Sequence, residues 1–290
     1  MDCSNEITAG YAAVIGLVNS GKSTLVNAFS GRAICPAHSH RGITRIPVTS
    51  IYMKDDQQIC FTDTPPIESC SGIEVLKQPD VVCVVLNSRH LSRQLSSNIL
   101  QNVVNSLAGI PVIYVPTFID YFPAYLHGAI ANQISMSTEY DAIVPVCAPC
   151  GQGIKTLRDT IAGFIPKRPV LFPEGCISLH SERFLVSEQI RYSLYCALPS
   201  DIAATTAVQI EEFSIRDSKR YVRANLHVSR HSNKGIVIGR RGSMLQKIAE
   251  ISSRISSRIL DRPLNLDLWV KVRESWTENR EDLIEFGYIC

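Results

Sequence analysis

The sequence predicts an α/β chain in which a doubly wound, mostly parallel sheet fills the first 166 residues and a smaller α+β domain follows. Three observations predict it. Gly16-Leu17-Val18-Asn19-Ser20-Gly21-Lys22-Ser23-Thr24 fits G-x-x-x-x-G-K-[S/T], between an apolar run (Tyr11 to Ile15) and a helix opening (Ser23 to Phe29). Continuous apolar runs at Val81–Leu86 and Ile110–Val115, separated by helix-like stretches, read as strands buried on both faces of a parallel sheet. Beyond a Pro-rich break, strand-like alternation surrounds a second glycine-marked loop, Gly239-Arg240-Arg241-Gly242.

The first loop sets the chemistry. Its glycines let the backbone curl so that N–H groups face phosphate oxygens, and the positive end of the following helix adds to the attraction. Asn19, Ser20, Gly21 and Thr24 line this cradle, Lys22 reaches the β- and γ-phosphates, and the Ser23 hydroxyl holds Mg²⁺. Ile51 to Phe61 reads as a hairpin turning at Lys54-Asp55-Asp56. The next strand ends at Asp63, an acid at the C-terminal end of a strand, placed to hold Mg²⁺ through a water. A short strand, Ala142 to Val146, ends near Ala148, and Gly153 to Ile165 has helical apolar spacing. Thr117–Asp120 and Ala148 fall with the phosphate loop at the strand ends where such folds bind ligands.

Pro166-Lys167-Arg168-Pro169 and Phe172-Pro173-Glu174-Gly175 place a linker over 167–180, with a second domain over 181–290. That domain opens on a helix, Ser181 to Leu198. Two antiparallel strands follow, Ala207 to Ile215 and Tyr221 to Ser229. A helix with an apolar stripe (Met244, Ile248, Ile251, Ile255, Ile259) precedes the alternating strand Leu264–Val272. A G-x-x-G loop between helices clamps single-stranded RNA in KH domains. From Arg216 to Arg273 the chain carries fourteen Lys and Arg against four Asp and Glu, although its formal net charge is only +2. That concentration is an electrostatic footprint for nucleic acid, with Lys234, Gly239, Arg240, Arg241, Gly242 and Lys247 as the candidate RNA contacts.

Other classes are disfavoured. No apolar run reaches about 18 residues, and the first six residues lack the basic and apolar regions of a secretory signal, so a cytoplasmic protein without a transmembrane segment is expected. Most of the ten cysteines, such as Cys60, Cys83 and Cys196, sit in apolar runs and read as small core residues. Cys147-Ala148-Pro149-Cys150 lacks the second ligand pair or thioredoxin-like context that a metal or redox role needs.

Across nearly its whole length the chain resembles the Era family, GTPases with a C-terminal KH domain of the prokaryotic type. Val237-Ile238-Gly239, Gly242, Leu266-Asp267-Leu268-Trp269-Val270-Lys271-Val272, Trp276, Gly287-Tyr288 and Phe172-Pro173-Glu174 carry the likeness. The resemblance implies a P-loop GTPase domain that binds GTP, GDP and Mg²⁺, with Lys22, Thr44 and Asp63 as catalytic residues and Ser23, Thr44 and Asp63 at the metal. It implies a factor, expected to be monomeric, that binds the 3′ end of 16S ribosomal RNA during assembly of the 30S subunit, with peripheral association at the inner membrane.

The nucleotide motifs depart from the family pattern. Asp-x-x-Gly appears as Asp63-Thr64-Pro65-Pro66, and Pro66 has no N–H to offer a γ-phosphate. Asn-Lys-x-Asp appears as Thr117-Phe118-Ile119-Asp120. Asp120 keeps the carboxylate that takes guanine N–H groups and argues against an ATPase, while Phe118 is positioned to cover the base. Thr117 is shorter than Asn and is not expected to reach the phosphate loop. Ser-Ala-x becomes Cys147-Ala148-Pro149, keeping only the alanine. These changes leave a second reading open: an RNA-binding assembly protein whose nucleotide domain binds but no longer switches or hydrolyses.

Overall fold

A computed structural model describes residues 6–37, 43–54, 56–68, 78–216 and 219–288. The chain divides into two compact units, one of residues 1–35 and 44–179, the other of 36–43 and 180–290.

In the first unit β1 (Ile7–Ile15) runs into the phosphate loop and α1 (Lys22–Ser30). The hairpin follows as β2 (Val48–Lys54) and β3 (Gln57–Asp63), with Asp55 of its expected turn outside the described residues. The chain continues through β4 (Val81–Asn87), α2 (Leu91–Leu95), α3 (Asn98–Asn105), β5 (Val112–Thr117), α4 (His127–Ser135), β6 (Ala142–Ile143), α5 (Ile154–Phe164) and β7 (Lys167–Arg168). The sheet order is β2-β3-β1-β4-β5-β6, with β7 also on β1. Among the described strands only β2 and β7 run antiparallel. Every residue of β4 and β5 is buried, which is why those runs are apolar without alternation. Each such Val, Leu or Ile contributes roughly 1.5–3 kcal/mol by leaving water. β6 is in register with β5 at Ala142 and Ile143, and Val144 N and Val146 N go on to donate to Tyr114 O and Pro116 O at 2.9 Å each, along the expected run 142–146.

Of the linker read over 167–180, residues 167–179 belong to this unit. Gln58 accepts from the N–H groups of Leu171 and Phe172, and Ile51 N donates to Ile177 O at 2.9 Å. Ser178 bridges antiparallel to Ser50 of β2.

The second unit opens on α6 (Glu182–Ala197), whose N-cap Ser181 accepts from Phe184 N, and α7 (Ser200–Ala204). Then come β8 (Thr206–Arg216), β9 (Lys219–Val228), α8 (His231–Ile238), α9 (Ser243–Leu260), β10 (Leu264–Val272) and α10 (Arg280–Glu285). β8 and β9 are antiparallel, with Asp217 and Ser218 of their turn outside the described residues. β10 pairs parallel with β9, so the chain must cross over between them, and α8 and α9 are that crossover. The expected stripe on α9 is only partly right. Ile248 and Ile259 are buried, but so are Ser252, whose hydroxyl donates to Ile248 O at 2.8 Å, and Ser256. Trp276 anchors the core against Phe286 and Tyr288 and donates Nε1–H to Thr205 O at 3.0 Å.

His227 is buried in this unit, its Nε2 2.9 Å from Gln209 Oε1 and its Nδ1 unpartnered. Burial, then Lys271 and Arg273, depress its pKa below the usual histidine value, against a weaker pull from Glu285 and Glu211. The unfolded chain therefore binds a proton that the folded chain refuses. The stabilising contribution is complete above about pH 6.5, the ordinary histidine value, and is lost as pH falls toward the depressed folded value. We expect the melting temperature of the wild type to fall more steeply between pH 7.5 and 5.5 than that of His227→Gln. Parallel slopes in thermal melts would remove His227 as the cause.

Candidate nucleotide and RNA sites

The phosphate loop bends through three residues with positive φ: Gly16 (154°), Asn19 (57°) and Gly21 (97°). Gly21 is the N-cap of α1, so the loop's N–H groups and the helix N-terminus meet at one place. Lys22 is buried, and its Nζ donates to the carbonyls of Gly16 and Leu17 at 2.9 Å each, which holds the ammonium against the loop. Ser20 is buried at the base of the loop with its hydroxyl unpartnered, while Thr24 stands in the first turn of α1. The Val18 N–H is taken by the Glu68 carboxylate at 3.1 Å.

Three residues far apart in sequence converge beside it. Ser23 Oγ donates to Asp63 Oδ2 at 2.7 Å, Thr44 Oγ1 donates to the same oxygen at 3.2 Å, and the two hydroxyls are 3.1 Å apart. Asp63 ends β3, directly beside β1, so the sheet itself sets the carboxylate next to the loop. Burial raises its pKa to about 6, against the opposing pull of the Ser23 hydroxyl, the Lys22 charge, the Thr44 hydroxyl and the Cys35 thiol. Its second oxygen, Oδ1, is buried with no partner in hydrogen-bond geometry. One carboxylate and two hydroxyls are hard oxygen donors, and an unsatisfied buried oxygen among them fits a Mg²⁺ ion that keeps waters of its own.

At the base end Thr117 corrects the expectation made from its length. Its Oγ1 donates to Ser20 O at 2.7 Å and also lies 3.0 Å from Leu86 O, so it does tie β5 to the phosphate loop. The tie is doubled by a residue that sequence reasoning missed. Asn87, register partner of Thr117 at the end of β4, donates Nδ2–H to Asn19 O at 3.2 Å. Its position at a strand C-terminus was the available signal.

Phe118 adopts a left-handed conformation (φ 58°) and N-caps the 3-10 turn Ile119–Tyr121. Asp120 sits in that turn with an exposed carboxylate and does not cap it. Ala148 is buried in the neighbouring turn, where Gly151 N donates to Ala148 O. The flanking Cys147 and Cys150 are brought close by this turn, their Cα atoms 5.6 Å apart. Cys60 and Cys83 are buried as expected, and burial pushes both thiols up to about 12. Cys196 is half-buried. Among the described residues no group of three His, Cys, Asp or Glu side chains could hold a metal.

In the second unit the G-x-x-G loop links α8 to α9. Gly239, Arg241 and Gly242 all have positive φ, which turns the backbone sharply between the helices. Lys234, Arg240, Arg241 and Lys247 are all exposed around this loop. Exposed cations around such a loop suit contact with phosphate. No described helix is long and apolar enough to cross a membrane.

Residues 11–117 match the family described as 50S ribosome-binding GTPase, and residues 201–277 match the KH domain. The chain is 31% identical to the GTPase Era of Geotalea uraniireducens, over 98% of both chains. It belongs to the GTPase Era family. The Era of Halothermothrix orenii is 29% identical over 97% of this chain and 98% of its own. Among solved Era structures, a variant of the Aquifex aeolicus protein bound to GDP·AlF4⁻ superposes with a TM-score of 0.87 at 29% identity, covering 97% of this chain and 99% of that one. An Era in complex with MgGDPNP and nucleotides 1506–1542 of 16S ribosomal RNA gives 0.85 at 27% identity, covering 98% and 100%. This Era-family chain thus has both expected domain types, a P-loop GTPase domain and a KH domain.

Proposed function

We propose that this protein binds GTP and GDP with Mg²⁺, hydrolyses GTP slowly, and binds 16S ribosomal RNA to assist assembly of the small ribosomal subunit. Nucleotide binding falls to residues 1–166 and RNA binding to 181–290, with 167–180 joining them. The observation that carries the nucleotide half is the meeting of Ser23, Thr44 and Asp63 within 3.2 Å beside Lys22 and the phosphate loop. The RNA half rests on the exposed basic G-x-x-G loop and on the related Era solved with that RNA. The protein acts as a monomer in the cytoplasm, with peripheral association at the inner face of the membrane.

In this reading the N–H groups of Asn19 to Thr24 cradle the phosphates and Lys22 neutralises their charge. Ser23, Thr44 and Asp63 would hold Mg²⁺, which would supply positive charge to the phosphates. Asp120 accepts the guanine N–H groups, and Phe118 and Ala148 border the base. Water attacks the γ-phosphate, and positioning with charge neutralisation supplies most of the acceleration. Lys234, Gly239, Arg240, Arg241, Gly242 and Lys247 clamp the RNA backbone.

Pro66 favours a second reading, a domain that binds nucleotide without switching. It is buried three residues beyond Asp63 and has no N–H. A charge-assisted hydrogen bond of this kind is worth about 1.5–3 kcal/mol, and each 1.4 kcal/mol is a factor of ten. Single-turnover hydrolysis with paired GTP and GDP titrations decides between the two. A rate equal to that in buffer, with equal affinities, favours the non-switching protein. Pro66→Gly should raise the preference for GTP over GDP by about tenfold; an unchanged ratio means that the missing N–H is not the cause.

A further inference from the structure

Phe118 stands where the Asn-Lys-x-Asp pattern has a lysine, and the structure surrounds it with partners that no motif announces. The Arg89 guanidinium carbon lies 4.5 Å from the centroid of the Phe118 ring and 4.8 Å from that of Tyr121. The two rings meet edge to face at 6.2 Å. At its other end the Phe118 ring borders the phosphate loop, since a Cβ added to Gly21 would lie 3.5 Å from Phe118 Cε2.

Arg89 is held from behind. Asn87 Oδ1 accepts from the Arg89 backbone N–H at 3.0 Å and from its Nε–H at 3.4 Å. The same side chain donates to Asn19 O in the loop, and the Asn87 N–H donates to Gln94 Oε1 at 2.7 Å. Asn87 is 2% exposed, whereas Arg89 is exposed. A buried amide thus aims an exposed cation at an aromatic ring beside the phosphate loop.

We propose that Arg89 is a positioning residue for the purine base of the bound nucleotide, fixing the Phe118 ring as a stacking platform in place of a lysine stem. This rests on the nucleotide reading above and deepens it. A guanidinium is drawn to the negative face of an aromatic ring and restrains its rotation. A base has a π-face that stacks on such a ring without further hydrogen bonding. Asp120 supplies selectivity for guanine, and the Arg89–Phe118 stack supplies base affinity.

The test separates base from phosphate. The full-length protein is titrated with a fluorescent GDP analogue, and unlabelled GDP and inorganic pyrophosphate compete. Arg89→Ala should weaken GDP by about three- to tenfold and leave pyrophosphate unchanged, with the melting temperature of the nucleotide-free protein unaltered. Arg89→Lys should recover part of the loss, since it keeps the charge without the planar face. Combined with Phe118→Leu the effect should be less than multiplicative, because both changes remove the same platform. The proposal is overturned if Arg89→Ala binds GDP like the wild type, or if pyrophosphate weakens equally, which would assign Arg89 to the phosphate loop. If the wild type binds neither GDP nor pyrophosphate, the nucleotide reading itself falls.

Discussion

Gly16→Ala is expected to abolish measurable nucleotide binding and to lower the stability of the protein. Gly16 has φ 154°, and a Cβ there would lie 2.5 Å from the Val85 carbonyl oxygen and 2.9 Å from Ser20 Oγ. The first of these is backbone in the middle of β4, buried on every side, so it cannot yield as a flexible side chain could. Overpacking of this kind costs about 1–3 kcal/mol, and a positive φ outside glycine adds roughly 1–2 kcal/mol. Moving the loop to relieve the clash displaces Gly16 O, one of the two carbonyls that hold Lys22 Nζ. A loss of roughly 2–5 kcal/mol should appear as a lower denaturation midpoint, and GDP titration should show no saturation. Gly31→Ala is the matched control. Gly31 also has positive φ (71°) at the end of α1, but no atom lies within 4 Å of its added Cβ. It should lose only about 1 kcal/mol and bind GDP normally. If both variants behave alike, close packing at Gly16 is not what shapes the loop.

The second large effect is expected in the KH domain. Arg240→Ala with Arg241→Ala should weaken single-stranded RNA binding by about ten- to a hundredfold near 0.1 M salt, through loss of two charge-assisted phosphate contacts. The slope of log affinity against log salt should fall by about 1.4, since each contact to a single strand contributes about 0.7. Both side chains are exposed, so melting behaviour should not change. The loss should be similar for unrelated RNA sequences, because phosphate contacts carry no base information. A variant that keeps the wild-type salt slope while losing affinity would show that these arginines do not meet phosphate. Gly239 has a different task. Its added Cβ would lie 2.6 Å from Met244 Cβ and 2.7 Å from Met244 N, so it lets α9 start close to the turn.

What could be read from the sequence was whatever is local. The phosphate loop needs particular residues at fixed spacing, and the apolar runs of β4 and β5 announce buried strands by themselves. Asp63 was recognisable because strand ends beside such a loop share one rim. Thr117 was misjudged because its reach depends on how closely the end of β5 approaches the loop, a distance set by the register of β4 with β5. Asn87 and Arg89 were passed over for the same reason, their partners being 68 residues away at Asn19 and 29 further on at Phe118. On α9 the apolar stripe was visible, yet Ser252 and Ser256 are buried with it, and a serine that can give its hydroxyl to the preceding turn, as Ser252 does to Ile248 O, does not announce burial in its polarity. The close approach of Cys147 and Cys150 was not legible from spacing alone, since it depends on how the turn folds.

The short pairing of residues 177–178 with β2 has a further bearing, on how the protein behaves in a crowded solution. β2 is the outermost strand of its sheet, and an open strand rim is a template on which a second chain can add itself. Ile177 and Ser178 occupy part of that rim, bonding Ile51 and the carbonyl of Thr49. A fragment cut after residue 166 would keep every residue proposed for nucleotide binding and still bare this part of the edge, inviting self-association that the intact chain discourages.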